Sequence, residues 1–127
     1  AIDFDDTTAG RFKCMLVEAA YVPNFDTDSV KTDVSNEIVG AGYTAGGEAL
    51  TSVTFTISSG TITWDAADVT WSASTITNAA AAVIYNTSET NDPLIAYVDF
   101  GGNFSTTSGT FQIVWNASGI FTLDLTP

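Results

Sequence analysis

Histidine is absent from this chain, and cysteine and methionine occur once each. Without imidazole there is no Ser-His-Asp or Cys-His relay and no usual zinc-ligand set. The lone Cys14 cannot close an intrachain disulfide. It lies in the apolar run Phe12-Lys13-Cys14-Met15-Leu16-Val17, where a small buried hydrophobe is expected. Positive charge is nearly as scarce: Arg11, Lys13 and Lys31 stand against 15 acids, for a net charge of −12. Such a surface repels phosphate backbones and anionic bilayers, so neither nucleic acid nor a membrane is an expected partner. The acidity serves solubility, or it keeps the protein off DNA and free of sticking inside a crowded particle. No apolar run of about 18 residues is present to span a bilayer as a helix, and no secretory signal pattern is visible.

What is present is the makeup of a packed globule. Hydrophobic residues form 45% of the chain and aromatics 12%, the reverse of a disordered composition. Size scaling for 13.3 kDa predicts roughly 6,500 Å² exposed when folded, against about 19,000 Å² unfolded. That is enough burial for one core in one domain.

Residues 1–10, with Asp3, Asp5 and Asp6 close together, read as an acidic N-terminal arm or edge segment ahead of a single domain over 11–127. Arg11 to Tyr21 reads as a strand with Phe12, Cys14 and Leu16 on one face, closed off by Pro23. Val30, Val34 and Ile38 recur every four residues behind Asp26 and Asp28. This predicts one short helix or helical turn near residues 28–38. Gly40, Gly42, Gly46 and Gly47 then punctuate a long turn around Tyr43-Thr44-Ala45, which lacks the Gly-Lys-Ser/Thr ending of a phosphate loop.

From Val53 the period is two. Val53, Phe55 and Ile57 alternate with threonines, Ile62 and Trp64 follow the Ser58-Ser59-Gly60 turn, and Val69 and Trp71 repeat the pattern. Ala79 to Tyr85 is nearly continuous in apolar residues; its alanines suit a helix, but Val83-Ile84-Tyr85 and its short length favour a buried strand. Leu94 to Phe100 alternates Ile95, Tyr97 and Asp99 against Leu94, Ala96, Val98 and Phe100. Phe111, Ile113 and Trp115 share a strand face, and Ile120 to Leu125 forms a last strand. Polar loops are expected at Asn86–Pro93 and Gly101–Gly109. Eight or nine short strands with regular turn signals predict an all-β, antiparallel, jelly-roll-like sandwich. Trp64, Trp71 and Trp115 fall in phase with apolar neighbours, so core packing is expected of them, and sugar stacking is not.

No catalytic, cofactor-binding or metal-ligating residue is assigned. Two acids about a cleft suffice for glycoside hydrolysis, but 15 acids offer too many pairs for that to single out any. Asp26-Thr27-Asp28 and Asp3-Phe4-Asp5-Asp6 carry the hard oxygen ligands calcium takes, without EF-hand spacing, and read as solvated acidic loops. Asn86-Thr87-Ser88, Asn103-Phe104-Ser105 and Asn116-Ala117-Ser118 match the glycosylation sequon, as expected by chance in a Ser- and Thr-rich chain.

The segments Val34-Ser35-Asn36-Glu37-Ile38, Gly42-Tyr43-Thr44-Ala45-Gly46-Gly47-Glu48-Ala49-Leu50 and Ala67-Asp68-Val69-Thr70-Trp71-Ser72-Ala73 resemble a family of small virion proteins of tailed bacteriophages. So do Ala82-Val83-Ile84-Tyr85, Pro93 to Gly101 and Phe111 to Ile120. The resemblance covers most of the chain after residue 11 and contains no catalytic motif. It implies a non-enzymatic virion component, similar to capsid decoration (cement) proteins. These are β-rich and sit, commonly as homotrimers, on the outer capsid surface against the major capsid protein. Such relatives carry a short helical segment before the counterpart of Ile2-Asp3-Phe4-Asp5; this chain starts at Ala1, without methionine, so such a segment is expected to be absent, trimmed or unseen. The alternative is a tail-fibre or receptor-binding module recognising host glycans; a metal-dependent enzyme is a third reading. Partner contacts are expected from the acidic arm, the Gly40–Gly47 turn and the two polar loops.

Overall fold

The apolar run after Arg11 forms strand β1 (Phe12–Glu18), and its alternation sends side chains to two separate cores. Phe12, Cys14 and Leu16 enter the main core, while Met15 and Val17 enter a second, smaller core on the opposite face. The structure, a computed structural model, describes residues 1–126. The remaining strands are β2 (Glu48–Ala49), β3 (Thr54–Ser58), β4 (Thr61–Asp65), β5 (Val69–Ser74), β6 (Ala79–Asn86), β7 (Leu94–Phe104), β8 (Gly109–Ile113) and β9 (Phe121–Asp124).

Every pairing is antiparallel. One layer is a four-stranded sheet in the order β2-β1-β6-β7; facing it are a three-stranded sheet, β3-β4-β9, and the β5-β8 pair. The fold is thus the antiparallel all-β sandwich that the alternation predicts. Its accessible surface of 6975 Å² is close to the size-scaling expectation.

The apolar run Ala79–Tyr85 is explained by its position. It forms β6, paired with β1 on one side and β7 on the other. Ala79, Ala82 and Ile84 face the main core, and Ala81, Val83 and Tyr85 face the second, which Tyr21 and Val34 cover from the loop after β1. A central strand covered on both faces loses its polar alternation. Trp64 and Trp71 are buried in the main core, as expected. Phe4 packs on Phe12, Trp64 and Phe121 at centroid distances of 5.7–6.1 Å, and its carbonyl accepts the Trp64 indole N–H at 3.0 Å.

Three expectations are narrowed or changed. Of the short helix or helical turn expected near residues 28–38, the structure forms the turn, a single 3-10 turn at Lys31–Asp33. Val34 packs on the second core and Ile38 in the main core, so they do not share a helix face. Val30 bridges to Pro93, Glu37 bridges to Val17, and Ile38 N–H donates to the Leu16 carbonyl at 3.0 Å. Backbone pairing to neighbouring strands therefore outcompetes a helix that has only a weak propensity to set against it.

In β7, the register skips Ile95: Ala96 pairs with Ile84, and Leu94 with Tyr85. This bulge puts Ile95 against the main core beside Ala96, while Leu94 joins Tyr97 on the second core. An extra residue flips the parity of what lies beyond it, which the alternation Ile95-Tyr97 could not reveal. The third change is that β7 runs on to Phe104, through the start of the expected Gly101–Gly109 loop. Ala79 pairs with Phe104 and Ala81 with Asp99, so β7 carries three more residues than β6 across this interval and bulges there.

Candidate functional site: an open seam between two strands

The four regions expected to reach a partner differ in how they are held. The arm is docked through Phe4, and Arg11 Nε lies 3.1 Å from Asp6 Oδ2. Asp3 and Asp6 accept backbone N–H groups of Asp5 and Thr8, which makes them turn acceptors.

The Gly40–Gly47 turn lies flat on the strands. A Cβ at Gly47, where φ is +78°, would collide with the Cys14 carbonyl, and one at Gly40 with the Thr75 carbonyl. Glu37 fastens this turn. Its Oε2 accepts the Tyr43 hydroxyl at 2.6 Å and Gly46 N–H at 2.7 Å, and the Tyr43 oxygen accepts Leu16 N–H at 3.0 Å. Burial, and then the hydrogen bond to Glu37, push the Tyr43 phenol well above its ordinary range. Tyr85 adds a bond from its hydroxyl to the Gly46 carbonyl at 2.6 Å, with the Lys31 ammonium 5.2 Å from its ring centroid.

The loop Asn86–Pro93 is shaped by its first residue. Asn86 is fully buried, and its Oδ1 accepts Ser88 N–H at 2.9 Å, the Ser88 hydroxyl at 2.7 Å and Glu89 N–H at 3.1 Å. This sequon asparagine is a buried turn former; Asn103 and Asn116 are exposed.

The fourth region borders an open groove of about 600 Å³ between β7 and β8. The floor is apolar: Val98 and Phe100 from β7, Phe111 and Ile113 from β8, and Ile120. Phe100 and Phe111 approach to 6.1 Å between centroids. The rim exposes Phe104 at 51% and Val114 at 67%. Each of these strands pairs on one side only, β7 with β6 and β8 with β5. Their short connection is tied elsewhere: Ile76 and Thr106 exchange backbone bonds at 2.8 and 3.2 Å, and Ser74 Oγ meets Thr106 Oγ1 at 3.0 Å. The hairpin is splayed.

Trp115 packs against the main core as expected, but not from a strand. Strand β8 ends at Ile113, so Trp115 lies beyond it, half-buried at one end of the groove. Its indole N–H donates to the Ala67 carbonyl at 3.1 Å and its backbone N–H to Asp68 Oδ1 at 3.0 Å. No sequence signal marked this groove, because it arises where the edges of two different sheets fail to meet.

Cys14 is buried, and burial pushes its thiol up to about 12, which leaves it an inert hydrophobe. Among the described residues, no three Cys, Asp or Glu side chains converge as a metal site would require. Asp28, one of the candidate calcium ligands, is engaged by the Tyr21 hydroxyl at 2.9 Å and Asn24 N–H at 3.0 Å. No helix among the described residues is long and apolar enough to cross a membrane. The chain matches no family model, no curated protein and no solved structure.

Proposed function

We propose that this protein is a non-enzymatic structural component of a tailed-bacteriophage virion, a capsid decoration protein that clamps the assembled head from outside. The observation that carries the reading is the open β7–β8 seam, where a rigid sandwich leaves strand edges and apolar surface unsatisfied. Such a surface suits protein–protein contact. The resemblance in the strand and turn segments supplies the setting, and the −12 charge suits a protein held on the outside of a DNA-filled shell. Binding only the assembled lattice stabilises that state by mass action, by about 2.7 kcal/mol per site at a hundredfold excess over Kd. Copies arranged as a trimer multiply weak contacts. The test is to add purified protein to heads stripped of it and measure heat release of DNA. Restored heat resistance is the expected result; heads indifferent to added protein overturn the proposal.

A second reading has its own observation. Phe25 is 80% exposed and stacks edge-on near Tyr97, at 6.2 Å between centroids, with Tyr21 a further 6.2 Å neighbour of Tyr97. Exposed rings of this kind can stack on sugars, as a receptor-binding module would require. Glycan-array binding that disappears in Phe25→Ala favours that module over the clamp.

A further inference from the structure

The two walls of the β7–β8 groove are different in kind. From β7 it takes Val98, Phe100 and Phe104, no two of them adjacent, which is how a strand presents a face. From β8 and the residues after it, it takes every residue from Thr110 to Asn116. A strand lines a groove with consecutive residues only when it turns its edge, and hence its backbone, toward it. That edge pairs with no other strand. It carries neither lysine nor proline, the residues that commonly guard an exposed edge. Backbone donors and acceptors therefore stand beside an apolar floor of Phe100, Phe111 and Ile120.

Charge narrows the occupant. No Lys or Arg occurs after Lys31, and none of the three basic residues lines the groove. Two carboxylates border its far end. Asp68 holds Trp115 N–H at 3.0 Å, and the Cβ of Asp65 lies 3.6 Å from where a side chain at Gly119 would begin. A basic segment is drawn to this end, and an acidic one is repelled.

The geometry points to strand addition along β8: the groove takes an extended segment of a partner protein, alternating apolar and basic side chains. Its backbone pairs with Thr110–Val114, its apolar side chains rest on Phe100 and Phe111, and its cations lie toward Asp65 and Asp68. Under the proposed function that partner is the shell subunit, and in this respect the inference rests on that reading. The groove lies within the usual size of a ligand site, and five residues of β8 span roughly 17 Å.

The probe is an acetylated, amidated peptide of about seven residues alternating lysine and valine, sized to the exposed edge. Three companions accompany it: a glutamate-for-lysine analogue, an analogue N-methylated at alternate residues, and the Val114→Lys protein. The lysine peptide should slow amide exchange within Thr110–Val114, and its affinity should fall as salt rises from about 0.05 to 0.5 M. The glutamate and N-methyl analogues should each bind at least about tenfold more weakly, as should Val114→Lys with an unchanged melting temperature. Equal binding by the glutamate analogue overturns the charge argument, and equal binding by the N-methyl analogue overturns strand addition. Self-association of the free protein with β8 amides already protected assigns the edge to a second copy and also overturns it. On stripped heads the two proposals separate. If Val114→Lys restores heat resistance as well as the unaltered protein, the clamp stands without this groove. If neither restores it while the peptide still binds β8, the groove stands without the clamp.

Discussion

Strands β1 and β6 share their full length, whereas β7 and β8, though consecutive in the chain, part company. β1 and β6 are nearly continuous in apolar residues, whereas β7 and β8 mix apolar with polar ones, and their surroundings differ accordingly. β1 and β6 lie in the middle of a sheet with a core on each face, and Cys14, Leu16, Ala82 and Ile84 are all fully buried. β7 and β8 each end a sheet, and Phe104 and Val114 remain largely exposed between them. One seam holds the molecule together; the other leaves bonding capacity unused. The groove shares Phe111 and Ile113 with the main core, but its exposed rim stands outside that core, so under the proposed function the rim can be altered without unfolding the rest.

The comparison can be broken most directly by truncating one side chain at each seam. Ile84→Ala removes a fully buried side chain from the main core and should cost about 2–5 kcal/mol. Val114→Ala, at the exposed rim, should stay within about 0.5 kcal/mol. Urea unfolding of both variants checks this, and comparable losses would show that the groove is part of the stabilising core.

Next in size is Glu37→Ala, which leaves the part-buried Tyr43 hydroxyl and Gly46 N–H without their acceptor. A loss of about 1–3 kcal/mol is expected, with amide protection falling first around the Gly40–Gly47 turn while β8 is unaffected. A loss spread evenly over both seams would contradict the local role assigned to Glu37.

The most diffuse effect is alkaline, spread over several buried groups with no single seam carrying it. Burial raises Cys14 from 9.0 to about 12, and raises Tyr21 and Tyr85 from 10.0 to about 12. As pH rises from 9.0, the unfolded chain releases these protons before the folded one does, so the folded state binds more protons. Stability is therefore fully present below that point and declines toward about pH 12. Asp6, Asp33 and Asp124 shift the other way through hydrogen bonds to their carboxylates, but Asp33 and Asp124 are exposed and Asp6 is only half-buried, so the acid limb should be the shallower one. Melting temperatures across the pH range check the asymmetry, and a steeper acid limb would contradict it.

How much of this was legible in the sequence depends on distance along the chain. The faces of β1 and the placement of Trp64 and Trp71 follow from local alternation, and the burial of β6 from its continuous apolar run. The 28–38 segment forms a turn and no longer helix because Val30 and Ile38 are placed by residues remote in sequence, Pro93 and Leu16. Ile95 misleads because a bulge is a property of two strands together, and one strand's sequence does not contain it. The candidate groove was invisible for a related reason. Val98, Phe100, Phe111 and Ile113 each read as ordinary core residues, and only the splaying of the sheets turns their surroundings into a cleft. Trp115 looked equivalent to the other two tryptophans until β8 stopped two residues short of it.

The crowding of basic residues into the first quarter of the chain has a practical consequence. Lys13 stands opposite Tyr85 in the β1–β6 register, Lys31 lies over the same ring, and neither lines the groove. A crosslinker, dye or sensor surface that reacts with lysine will therefore attach outside the groove lining. Trypsin, which cuts after basic residues, has no cleavable bond beyond Lys31 and will leave residues 32–127, with both the groove and most of the core, in one piece.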